Sequence, residues 1–152
     1  GAERGGEGQG SAGAVSFVHE LRDAVTVLVK DSGALLVGAA VSAFEGAMFA
    51  FVFNWTPALE SAVVPPPHGI IFALFMMACT CGASLATLCA AQIPPDRRLL
   101  FAFVVSCMCF SVASITAGGD HQQHLALTMV SFLLFEACVG MYFPSMGAMK
   151  TI

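Results

Sequence analysis

Four long apolar runs, separated by short polar connectors, leave this chain few ways to fold in water. The runs extend from Ala34 to about Trp55, Gly69 to about Ala91, Leu99 to about Ala117 and Leu125 to about Met146. A helix rises 1.5 Å per residue, so each run is long enough to cross a hydrocarbon core about 30 Å thick. Of the 152 residues, 57% are hydrophobic and 11% charged, against roughly a quarter charged in soluble domains. A soluble domain of this size lacks the interior to hide that much apolar surface. The expected fold class is an all-α membrane protein with four transmembrane helices.

The segments ahead of the first run differ in character. Residues 1–15 are rich in Gly, Ser and Glu and read as a flexible, solvated linker. Over residues 16–32, Val18, Leu21, Val25, Leu28 and Val29 recur at helical spacing, with His19, Glu20, Arg22, Asp23 and Lys30 between them. This pattern predicts a short amphipathic helix on the membrane surface or against the bundle, followed by a four-helix bundle over residues 33–152. Pro57 and Pro144 stand near the ends of the first and fourth runs, and Pro57 is expected to help end its helix.

Basic residues set the topology. With the N-terminal side placed inside, Arg4, Arg22, Lys30, Arg97, Arg98 and Lys150 all lie inside, and the connectors Ala58–His68 and Gly118–His124 carry no Lys or Arg. The positive-inside rule then puts both ends of the chain, and the connector Gln92–Arg98, in the cytoplasm.

Other chemistries find little support. All six cysteines fall inside apolar runs, where cysteine acts as a small hydrophobe. Cys79/Cys81 and Cys107/Cys109 are two residues apart, on opposite sides of a helix, so neither pair clamps a metal from one face. Asp120, His121 and His124 read as a solvated loop. Phosphate-loop, nucleophilic-triad and metalloprotease patterns are missing, and no basic aromatic patch points to nucleic acid. The reading is of a non-enzyme without a cofactor or metal, in contact with the lipid bilayer.

Two carboxylates break the apolar runs. Glu45 lies near the middle of the first run and Glu136 near the middle of the fourth. An ionisable group at such depth is costly unless it is paired, neutral or water-facing. It either joins helices by a hydrogen bond or marks a substrate or proton site near the midplane. Gly38, Ser42, Glu45, Phe49 and Val52 share one face of the first helix, and Glu136, Gly140 and Phe143 share one face of the fourth. Such stripes line a cavity or form a helix seam. Gly82, Ala86 and Ala90 place small residues at every fourth position of the second run, as close helix contact requires.

Four stretches resemble the eukaryotic molybdate-anion transporter family of the major facilitator superfamily. They are Ala43-Phe44-Glu45 with Phe51-Val52-Phe53-Asn54-Trp55-Thr56-Pro57; Gly69-Ile70-Ile71-Phe72 with Phe75-Met76; Gly82-Ala83-Ser84-Leu85; and Glu136 with Gly140-Met141-Tyr142-Phe143-Pro144-Ser145-Met146. Asn54 departs from the apolar residue expected before Trp55. The resemblance implies a partial chain holding about spans seven to ten of twelve, in the C-terminal six-helix half. It also implies uptake of molybdate across the plasma membrane by alternating access, with the remaining transmembrane helices as partners. Glu45, Glu136, Ser42, Asn54, Trp55 and Tyr142 become candidates for the substrate pathway or proton coupling. No apolar run contains Arg or Lys, so direct binding of a dianion would rest largely on residues outside this chain. A four-span structural or assembly protein, and a transporter of another small solute, are the alternatives.

Overall fold

In the computed structural model, residues 17–20, 22–26, 29–60, 67–116 and 121–149 are described, with the backbone alone for residues 121–124. Four long helices follow one another: α1 (Ser32–Leu59), α2 (His68–Leu88), α3 (Pro95–Thr116) and α4 (His121–Met149), with a 3₁₀ turn over Cys89–Ala91. The described residues contain no strand. All four helices are long and apolar enough to cross a membrane, and the chain is an integral, multi-pass, all-α membrane protein. Large apolar side chains such as Phe53, Leu88 and Ile115 are more than three-quarters exposed, as lipid-facing positions demand.

Helix boundaries differ from the apolar runs in an instructive way. Helix α1 continues through Pro57 to Leu59, and α4 continues through Pro144 to Met149. A proline withholds one N–H from the carbonyl four residues earlier, but a helix inside a bilayer keeps its remaining internal bonds because lipid offers no substitute. Helix α3 begins at Pro95, at a position where proline's fixed φ and missing N–H are harmless. The connector Gln92–Arg98 is therefore mostly helix, and Arg97 and Arg98 belong to the first turn of α3. The expected linker at 1–15 and the tips of both outer connectors lie outside the described residues.

Two compact units divide the chain, Gly1–Gly46 and Ala47–Ile152. In the first, residues 17–20 and 22–26 are helical; His19 Nδ1 lies 3.1 Å from Asp23 Oδ2, and the Thr26 hydroxyl donates to the Arg22 carbonyl at 2.7 Å. Asp31 starts α1, its Oδ1 accepting from the Gly33 N–H at 2.9 Å.

The second unit is built around α4, which packs on both α2 and α3. Over half (56%) of the most apolar window of α4 is buried, against 17% for α2 and 33% for α3. Small residues explain the closeness of the α2–α4 crossing. A Cβ on Gly82 would run into the carbonyl of Ala137, and one on Gly140 into the carbonyl of Cys79. The α3–α4 pair is joined at one end by the buried Thr116 and Thr128 hydroxyls, 2.8 Å apart. Phe51 inserts among Phe75, Phe132 and Phe135, with ring centroids 5.2–5.3 Å away, at the spacing aromatic pairs prefer.

Candidate functional site

Glu136 occupies the middle of α4 and is buried, with 7% of its surface exposed. Its position follows from the seam beside it. Ala137 and Gly140 let α2 approach to backbone contact, and the residue next to Ala137 is drawn into the same interface. The carboxyl lies within electrostatic reach of the Cys79 thiol on α2, and among the described residues no basic group pairs with it.

The other expected site residues separate into distinct surroundings. Trp55 packs edge-on against Phe75, with centroids 5.5 Å apart, and against His68 at 5.9 Å. Tyr142 is buried and tilts against Phe103 of α3 at 6.3 Å, which makes it part of the α3–α4 seam. Asn54 is exposed, and its Nδ2 donates to the Ala50 carbonyl of its own helix at 2.7 Å. Ser42 and Glu45 are exposed in the first unit, on the stripe with Gly38. The two stripes thus have opposite fates. That of α1 is open along Gly38, Ser42, Glu45, Phe49 and Val52, whereas on α4 Glu136 and Gly140 are buried and Phe143 is exposed.

Arg98 is a buried charged residue that sequence reasoning passed over. Treated there only as a topology charge, it is 6% exposed, and its Nη1 donates to the Ala86 carbonyl of α2 at 2.7 Å. Pro95, three residues upstream, is the signal that could have placed it within a helix. The six cysteines are free thiols, and among the described residues no three His, Cys, Asp or Glu side chains are grouped to hold a metal.

Four long apolar helices define a multi-pass membrane protein, and comparison with known proteins narrows the class. A family model described as sugar transporters with 12 transmembrane segments matches residues 6–135. The chain belongs to this family of the major facilitator superfamily. It is 34% identical over 139 residues to the molybdate-anion transporters of Xenopus tropicalis and Xenopus laevis, covering 89% of this chain and 30% of each relative. The molybdate-anion transporter of Danio rerio is 30% identical over 138 residues, covering 88% and 28%. The chain thus spans about three-tenths of the length of these curated relatives. No solved structure matches it significantly.

Proposed function

We propose that this chain forms part of a membrane transporter that moves molybdate by alternating access. The observation that carries this reading is the similarity along nearly nine-tenths of the chain to proteins named molybdate-anion transporters. On this reading α1 to α4 correspond to about spans seven to ten of twelve, and the other helices complete the second wall of the pathway. The absence of Lys and Arg from both outer connectors supports cytoplasmic ends, and the plasma-membrane setting rests on the uptake role alone. Glu45 and Glu136 serve proton coupling or gating, since an ionised carboxylate repels a dianion. Ser42, Asn54, Trp55 and Tyr142 line or shape the path around them.

The test is uptake of labelled molybdate by cells expressing the complete polypeptide. Saturable uptake above vector-only cells is expected. The description of the matched family favours a second reading, transport of a sugar. Uptake of labelled hexose without molybdate would select it, and uptake of neither would favour a four-span structural or assembly role.

A further inference from the structure

Phe51, Trp55 and Leu59 recur at four-residue spacing and so share one face of α1. Phe51 and Leu59 are buried and Trp55 half-buried. Where α2 and α4 cross, their backbones touch. Helix α1 has no comparable packing along its length and meets its neighbours through these side chains. Phe51 lies among Phe75, Phe132 and Phe135. One turn further out, Trp55 meets Phe75 and His68, the first residue of α2. Among the described residues, the Trp55–His68 pair is the outermost aromatic contact between α1 and α2.

His68 is half-buried, and its Nε2 is shut away from solvent without a hydrogen-bond partner. A neutral imidazole leaves one uncharged nitrogen unsatisfied there, which is tolerable. An imidazolium donates from both nitrogens. Protonation in place would therefore bury a charged donor with nothing to accept it, a far larger penalty. Attraction to the indole offsets only part of this, because the ring centroids are 5.9 Å apart, at the outer limit of about 6 Å for a cation–π contact. Glu60, just past the end of α1, is exposed, and no ion pair joins it to His68. It is the only other titratable side chain described at this end of the four helices; Asp120 lies outside the described residues, and His121 and His124 are described by backbone alone. Histidine is the side chain that ordinarily changes charge between about pH 5 and 8.

We infer that His68 and Trp55 form a proton-sensitive latch: on protonation His68 leaves Trp55, and the outer end of α1 is released from α2. The experiment measures acrylamide quenching of Trp55 fluorescence in the complete polypeptide in detergent, at steps from about pH 8 to about pH 5. The Trp55 signal is the difference between each protein and its own Trp55→Phe counterpart. Access of acrylamide to Trp55 should rise as the pH falls. The rise should be lost in His68→Gln, which keeps a polar side chain that does not titrate, and in His68→Phe, which keeps a ring against Trp55. Should one of these fail to fold, the other decides. Glu60→Gln should keep the rise. A rise that persists in a folded His68 variant, or its absence from wild type, overturns the proposal. So does its loss in Glu60→Gln, which would make the carboxylate the sensor. Falling Trp55 emission without greater acrylamide access would mean that the imidazolium stays on the indole, and would overturn release.

Discussion

Gly82 of α2 faces Ala137 of α4 so closely that a methyl group on the glycine would collide with the alanine carbonyl. The reciprocal contact, Gly140 against the Cys79 carbonyl, lies about one turn away. Lipid is as apolar as leucine, so two helices in a bilayer gain little from hiding apolar surface and rely on close packing instead. These paired glycines fix the register of α2 on α4, and with it the burial of Glu136.

Gly82→Ala and Gly140→Ala should each destabilise the complete protein, because the obstruction is backbone and cannot swing aside. Overpacking of this kind costs about 1–3 kcal/mol, enough to outweigh the gain of up to about 1 kcal/mol in helix propensity. Gly69→Ala and Gly147→Ala, where an added Cβ meets nothing within 4 Å, should be neutral or stabilising. Thermal unfolding in detergent compares all four. Equal behaviour of the two pairs would show that the crossing is looser than the structure describes.

Thr116 and Thr128 join the far end of the α3–α4 pair, and the Thr116 hydroxyl also reaches the Val112 carbonyl at 3.0 Å. Thr128→Val therefore leaves Thr116 with an acceptor, and only the interhelical term is lost. A double-mutant cycle with Thr116→Val should give a coupling near 0.6 kcal/mol, the usual size for such bonds in membranes. Strictly additive losses would mean that the two hydroxyls contribute independently.

The length of the apolar runs made the four helices legible, because hydropathy over about twenty residues has one outcome in lipid. The helix ends were less so. Pro57 reads as a stop in water, where a frayed helix finds new partners, yet α1 runs through it to Leu59. The stripe Gly82, Ala86, Ala90 was legible in part: Gly82 and Ala86 are buried, whereas Ala90 is exposed in the 3₁₀ turn. Tyr142 and Arg98 could not be placed from spacing. Their burial depends on which neighbours, Phe103 and Ala86, lie across the seam, and one sequence carries no record of that.

The connectors test topology. Single cysteines introduced at Glu60, Asp96 and Asp120 on a cysteine-free background should respond differently to an impermeant thiol reagent. Labelling of Glu60 and Asp120 from outside intact cells, with Asp96 labelled only after permeabilisation, is expected from the basic asymmetry. Labelling of Asp96 from outside would invert the assignment.

Glu45 and Glu136 separate by their surroundings, and that difference allows folding to be distinguished from transport. Glu136 is buried beside a crossing that tolerates no added atoms, whereas Glu45 lies on an open face. Glu136→Ala removes volume and a polar group from a packed seam and should lower the unfolding midpoint of the complete protein. Glu45→Ala, at a position that is not packed into that crossing, should lower it less. Glu→Gln at either position keeps shape and hydrogen-bonding groups while fixing the side chain neutral. Both Gln variants should therefore insert and fold. If the carboxyls carry or gate with a proton, both should lose the pH dependence of molybdate uptake, because the titrating group is gone. Surface expression measured on the same cells removes trafficking as a cause. An uptake profile indistinguishable from wild type across a pH series in Glu136→Gln would confine that residue to joining helices. The same result in Glu45→Gln would leave the open face of α1 without a role in coupling.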